Sequence, residues 1–130
     1  MHRKKRWCVY VAGKYSDDNV LDVLKNMRKG IKKSAKLFEL GYAPFCPWID
    51  YHYVLSSDAP DAITVQDFYD YSIEWLKKSD AVLVLQDWED SHGTVKEVEM
   101  ARSLGIPIFL SVSAMSSFFD IKEAKMPEAS

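Results

Sequence analysis

Cysteine, histidine, glycine and proline are all sparse in this chain, and it has no long apolar run. Only 2 cysteines occur in 130 residues. Cys8 and Cys46 both fall in apolar stretches expected to be strands. Buried free thiols in a reducing, cytoplasmic setting are therefore expected rather than a disulfide. The 3 histidines are scattered and form no cluster with the cysteines, so no metal and no cofactor are expected. No apolar stretch approaches the ~20 residues of a membrane span. The basic start, His2-Arg3-Lys4-Lys5-Arg6, precedes only a short apolar segment, which does not fit a signal peptide. It is expected to be a solvated leader before the first strand. A formal net charge of −2 gives no broad electrostatic argument for polymeric nucleic acid or a membrane as partner. Internal repeats and low-complexity segments are absent as well.

What is present fits one domain over residues 1–130, with 1–6 and about 124–130 expected to be flexible. Aromatics are plentiful, at 4 Trp, 7 Tyr and 6 Phe. Trp7-Cys8-Val9-Tyr10-Val11-Ala12 is a near-continuous apolar run ending at Gly13, as in a buried central strand. A long helix follows, opened by the cap residues Asp17, Asp18 and Asn19. Its apolar stripe is read as Val20, Leu24, Met27, Ile31, Ala35 and Phe38, with lysines and arginines on the other face. Gly30 should weaken its middle, and Gly41 should stop it. Tyr42-Ala43-Pro44-Phe45-Cys46 reads as a second strand. Residues 49–63 read as a long loop, a lid or pocket wall. A helix is expected over about 65–78, with Tyr69, Ile73 and Leu76 on one side. Strands at Ala81-Val82-Leu83-Val84-Leu85 and Pro107-Ile108-Phe109-Leu110-Ser111 flank a further helix that stops near Gly105. Beyond Ser113 only one helical turn, around Phe118 to Glu123, is expected.

This β-α-β-α-β-α-β pattern is that of an α/β domain. The expected architecture is an open parallel sheet in strand order 2-1-3-4, flavodoxin-like, with helices on both faces. Ligands of such sheets sit beyond the carboxyl ends of the strands. Loops 13–19, 47–63 and 86–93 should meet there.

The most informative stretch is Ser91-His92-Gly93-Thr94-Val95-Lys96-Glu97-Val98-Glu99-Met100-Ala101. Small and hydroxyl residues open a helix here, where free backbone N–H groups attract anions. At 100° per residue, Glu97 shares a face with Thr94, Ala101 and Leu104. Glu99 falls nearer Lys96, Arg102 and Ser103, on a solvent face. An inward carboxylate must be paired, hydrogen-bonded or functional. The residues alone leave Glu97 open between a first-turn carboxylate stabilised by the helix dipole and a reactive group.

Tyr10-Val11-Ala12-Gly13, Asp80 and Ser91-x-Gly93-x-x-x-Glu97-x-x-x-Ala101 together resemble the nucleoside 2-deoxyribosyltransferase superfamily. The chain is most similar to its small, poorly characterised bacterial and phage members. The segments Gly13-Lys14-Tyr15, Gly41-Tyr42-Ala43-Pro44-Phe45-Cys46-Pro47 and Asp87-Trp88-Glu89-Asp90-Ser91 carry that likeness, which spans about residues 9–110. The resemblance implies that Glu97 is a catalytic nucleophile attacking the anomeric carbon of a deoxyribosyl group. It also implies a small-molecule nucleoside or nucleotide as partner, and a homo-oligomer whose neighbouring subunits complete the pocket.

Ser91 leans the implied substrate toward a 5′-monophosphate, as in the related nucleotide N-glycosidases, because a hydroxyl beside helix N–H groups suits phosphate where a carboxylate would repel it. Capping of the helix by Ser91 is compatible with that role. Gly93, Thr94, Lys14 and Ser16 would add contacts to the ligand. Tyr10 and Gly13 would line the pocket, and Trp88, Tyr15, Trp48 and Tyr51 could stack on a base. One position departs from the family pattern: Ser72 stands where an Asp is usual, eight residues before Asp80. Asp50 and Asp87 are candidate substitutes. Asp80 itself is expected to be structural. The expected function is cleavage or transfer at an N-glycosidic bond. The alternatives are a non-catalytic nucleotide-binding or sensing domain, and a phosphoribohydrolase of the cytokinin-activating type. Gly93-Thr94-x-x-Glu97 fits the phosphoribohydrolase signature, but Asp90-Ser91-His92 replaces its usual Pro-Gly-Gly.

Overall fold

The computed structural model describes residues 3–127. Four parallel strands form one sheet: β1 (Cys8–Ala12), β2 (Ala43–Phe45), β3 (Ala81–Val84) and β4 (Ile108–Phe109). Their spatial order is β2-β1-β3-β4, as the strand and helix pattern predicts. Central β1 pairs with β2 from Cys8↔Ala43 and with β3 from Val9↔Ala81, while Val82↔Ile108 sets β4. The helices are α1 (Val20–Glu39), α2 (His52–Ser56), α3 (Val65–Lys77), α4 (His92–Ser103) and α5 (Val112–Ala124). Among the described residues no helix is long and apolar enough to cross a membrane.

Strand alternation splits the core in two. Val9, Val11, Ala81 and Leu83 face one cluster, with Leu37 of α1 and Met115 and Phe119 of α5. Tyr10, Ala12, Val82 and Val84 face the other, with Leu76 of α3 and Val98 and Ala101 of α4. Tyr10 and the α4 carboxylate Glu97 are thereby placed on the same side of the sheet.

The helix ends follow local chemistry. Asn19 caps α1 by accepting from the Asp22 N–H, and Thr64 and Asp67 form a reciprocal capping box on α3. Gly41 and Gly105 have φ of 94° and 73°. At α1, Tyr42 N–H donates to Leu37 O and Gly41 N–H to Phe38 O. At α4, Ile106 N–H donates to Ala101 O and Gly105 N–H to Arg102 O. Both ends are Schellman motifs, which need a left-handed residue at this position.

Several expectations are corrected. The apolar stripe on α1 is rotated: Val20, Leu24, Ala35 and Phe38 are exposed, and Gly30, Ser34 and Leu37 are the buried residues. The cause is Trp48, whose ring lies on Gly30, so that a Cβ there would come within 2.2 Å of it. The glycine that propensity marks as a weak point is the seat of a core tryptophan. Cys8 is exposed at the strand start, and Cys46 is buried but lies just past β2. Residues 49–63 are no bare loop: 3-10 turns at Pro47–Ile49 and Pro60–Ala62 flank α2. Tyr69 is exposed on α3, while Leu76 is buried.

The largest miss is the tail, where a full helix, α5, buries Met115 and Phe119. Within the basic start, Arg3 and Lys4 pack onto α5 instead of extending into solvent. Arg3 donates to Asp120 at 2.9 Å and Glu123 at 2.6 Å, and its guanidinium lies over the Tyr42 ring. Arg6 donates to the Tyr42 carbonyl at 2.7 Å. Residues 1–2 and 128–130 of the expected flexible ends lie outside the described residues. Burial by itself raises the Glu123 pKa, but the Lys4 backbone N–H and Arg3 outweigh it and hold the carboxyl below its usual value. Its folded pKa is depressed, so its stabilisation is present above the unfolded pKa and lost as pH falls through the folded one. Glu123→Gln is expected to cost about 1–3 kcal/mol near neutrality, as for loss of a hydrogen-bonded charge. Denaturant titration should show that deficit shrinking below about pH 4, where wild type loses the same charge.

Candidate functional site

Ser91 caps α4, its Oγ accepting from the Thr94 N–H at 3.3 Å and from Thr94 Oγ1 at 2.9 Å. Thr94 is thereby fully buried. Glu97 follows at one turn, on the side of α4 that meets the sheet, while Glu99 is exposed. That division is the one helical geometry predicts. The Glu97 residue is half-buried, but its Oε2 is out of contact with solvent and has no hydrogen-bond partner. Burial pushes its pKa up to about 7, opposed only by the nearby Tyr10 hydroxyl.

Tyr10 projects from the middle of β1 into the same spot. Its ring is fully buried against Phe45, and its hydroxyl also lacks a hydrogen-bond partner of ordinary geometry. Burial first, then the Glu97 charge, raises its pKa well above the usual tyrosine value. Tyr10 therefore stays a neutral O–H facing a carboxyl. Ser72 of α3 reaches the same hydroxyl, and Asp50 is near enough to act on it through its charge. Two adjacent, unsatisfied, buried polar atoms are costly for a fold and concentrate at sites of chemistry or ligand contact.

The loops after β1 and β2 meet as expected. Trp48 Nε1–H donates to the Lys14 carbonyl at 3.1 Å, and the Tyr15 hydroxyl donates to Asp50 Oδ1 at 3.0 Å. Half-burial raises the Asp50 carboxyl, against the hydrogen bonds from Tyr15 and from backbone N–H groups. Gly13 is packed so closely on Leu85 that a Cβ would meet its Cδ1 at 2.8 Å.

The other expected site residues divide. Trp88 packs beside the Tyr10 cluster. Gly93 lies next to Tyr69, whose ring edge would be 3.6 Å from a Cβ there. Lys14 is drawn to Asp17 at 3.4 Å, and Ser16 is exposed. Trp48 is a core residue at 1% exposure rather than a stacking wall, and Tyr51 stacks on its neighbour His52. Asp80 is structural, its Oδ2 accepting from the Cys8 N–H at 2.8 Å. Asp67 is spent in the α3 cap, and Asp70 accepts from Gln66.

One cleft, of about 840 Å³, runs between α1 and the start of α5, with Lys14 and Asp87 in its wall. A second, of about 530 Å³, lies along β2 and is walled by Phe45, Asp50, Tyr53, Tyr71 and Trp75. Glu97 lines neither. Tyr15 packs on the α1 side of the sheet, whereas Tyr10 and Trp88 pack on the α3–α4 side, where Glu97 meets Tyr10. The aromatic wall of the second cavity escaped sequence reading. Its signal was Tyr71 and Trp75 at i and i+4, a spacing that sets two rings side by side on one helix. Among the described residues, no three His, Cys, Asp or Glu side chains gather as a metal site.

The fold has a solved counterpart. The structure of a 2-deoxyribosyltransferase from the psychrotolerant bacterium Bacillus psychrosaccharolyticus is similar at a TM-score of 0.58 and 19% identity. The likeness covers 78% of this chain and 69% of that one. No curated protein matches the chain in sequence. A family model does match, over residues 8–110, and the chain belongs to that family, DUF4406, a domain of unknown function.

Proposed function

We propose that this domain cleaves, or transfers the sugar across, the N-glycosidic bond of a nucleoside or nucleoside 5′-monophosphate. The observation that carries the proposal is Glu97: a buried carboxyl with a free oxygen, set against a neutral Tyr10 hydroxyl. The shared fold and the resemblance around Tyr10 and Glu97 support it. A Glu97 oxygen attacks the anomeric carbon as the C–N bond breaks. The base leaves with the bonding electrons and takes up a proton. Water or a second base then displaces the sugar, restoring the carboxylate and completing a double displacement. Ser72 reaches the Tyr10 hydroxyl and Asp50 acts on it through its charge, and the departing base is protonated on that side. A homo-oligomer is part of the same reading.

The attacking species is the carboxylate, so turnover is expected to rise with pH through about 7, the value to which burial pushes Glu97. Tyr10→Phe removes the only group opposing that shift. Its rate profile should therefore move to higher pH as well as fall in height, whereas loss of packing alone would lower the height without moving it. Release of free base from a panel of deoxynucleosides and their monophosphates, with wild type, Glu97→Ala and Glu99→Ala, tests the proposal. Glu99→Ala should match wild type, because surface changes stay within about 0.5 kcal/mol. Retention of most of the wild-type activity by Glu97→Ala would sink the assignment.

A non-catalytic nucleotide-binding domain is the second reading. Ser72, at the position where the resemblance expects an acid, favours it. Ser72→Asp separates the two: added turnover supports the enzyme, while nucleotide binding with no turnover in either form supports the sensor.

A further inference from the structure

We propose that the cleft between α1 and the start of α5 is a second binding site, for a compact ligand bearing a chain of phosphates, such as a nucleoside polyphosphate. It does not depend on the reading of Glu97, which belongs to the opposite face of the sheet. The cleft's volume, about 840 Å³, is that of a small-molecule site. Its place is the crevice beyond the carboxyl ends of parallel strands, where ligands of such folds bind.

One wall is a row of cations. Lys25, Lys29, Lys32 and Lys36 recur on α1 at steps of four, three and four, which aligns them in one stripe, and all four line the cleft with Lys33 and Lys14. At 1.5 Å per residue the stripe is about 16 Å long, enough to meet several phosphate groups. Lys14 and Lys25 have carboxylates, Asp17 at 3.4 Å and Asp22 at 3.9 Å. Among the described residues Lys29, Lys32, Lys33 and Lys36 have no ion-pair partner. Like charges three and four apart repel along a helix. Nothing in the core calls for lysine at these positions, and a bound polyanion relieves that repulsion.

The floor is different in kind. Leu83 and Leu85 come from the end of β3, and Leu110 and Val112 follow β4. Leu110 is 73% exposed, an apolar surface open to a flat ligand body. Asp87 and Asp90 close the β3 end. They would repel phosphate there but accept hydrogen bonds from sugar hydroxyls or amino groups. The polarity of the cleft thus orients a nucleoside polyphosphate, with its body on the leucine floor and its phosphates along α1.

Calorimetric titration of the full chain with tripolyphosphate, a nucleoside triphosphate, orthophosphate and a short single-stranded oligonucleotide is the test. The first two should bind at low salt and weaken steeply by about 0.3 M salt, as screening requires. Orthophosphate should bind far less. Lys29→Gln/Lys32→Gln/Lys36→Gln should weaken binding tenfold or more, with the helical signal of circular dichroism unchanged, and the corresponding triple arginine variant should retain it. Lys77→Gln/Lys78→Gln on α3 should leave affinity within about twofold. A triphosphate that outbinds tripolyphosphate identifies a nucleotide ligand, and the converse identifies the phosphate chain alone; both support the site. Equal weakening by the α1 and α3 variants would reduce the binding to general charge attraction and overturn it. So would absence of binding at low salt, or binding of the oligonucleotide without either compact phosphate.

Discussion

Trp48→Ala is expected to remove about 3–5 kcal/mol of stability, the usual cost of emptying a fully buried aromatic position. Folded domains hold only about 5–15 kcal/mol in total, so the variant should be marginal at ambient temperature. Trp48 is 1% exposed and lies flat on Gly30 of α1. Its indole N–H also holds the Lys14 carbonyl, tying the loop after β1 to the segment after β2. Gly30→Ala tests the same contact from the other side. Helix propensity alone predicts a gain of about 1 kcal/mol for alanine. The new Cβ would instead stand 2.2 Å from the ring, so a net loss of about 1–3 kcal/mol is expected, as for an overpacked core. In the Trp48→Ala background that obstruction is gone, and Gly30→Ala should become stabilising. Denaturant melts of the four proteins form a double-mutant cycle. If Gly30→Ala changes stability equally in both backgrounds, the packing account of Gly30 fails.

The sheet was legible because its signals are local. Four short apolar runs, each followed by a polar turn, admit few topologies once right-handed crossovers are required, and Gly41 and Gly105 announce the helix ends. Burial on α1 was not legible, because it depends on where Trp48 lands. Periodicity finds an apolar stripe through Val20, Leu24 and Phe38, while the surface that packs is Gly30, under the Trp48 indole, with Ser34 and Leu37. Helix α5 was missed for a related reason. Its buried residues, Met115, Phe119 and Glu123, include a carboxylate held by Arg3 and by the Lys4 backbone N–H, which lie far from it in sequence. At the candidate site, helical geometry alone separated inward Glu97 from outward Glu99. The partnership of Glu97 with Tyr10 needs the register between β1 and β3 and the crossover to α4, which no local pattern contains.

Glu97→Gln is expected to pull activity and stability in opposite directions. If Glu97 is the nucleophile, the amide cannot attack the anomeric carbon, and base release should fall on the order of 10³-fold or more. Stability should rise instead. The folded-state pKa is about 7 against an ordinary 4.5, so between those values the folded protein retains a proton that the unfolded chain has released. Stability that depends on this proton is fully present below the unfolded pKa and is lost as pH rises through the folded one. A displacement of that size corresponds to about 3 kcal/mol as an upper figure. The neutral glutamine avoids that loss and can pair with the Tyr10 hydroxyl. Denaturant titrations near pH 8 should therefore show the variant more stable than wild type by about 2 kcal/mol, a gain that vanishes near pH 4. A carboxylate kept only to support the fold would give the reverse, a variant less stable at the higher pH. An inactive and stabilised Glu97→Gln would mark Glu97 as a group that the fold tolerates at a cost and the chemistry requires.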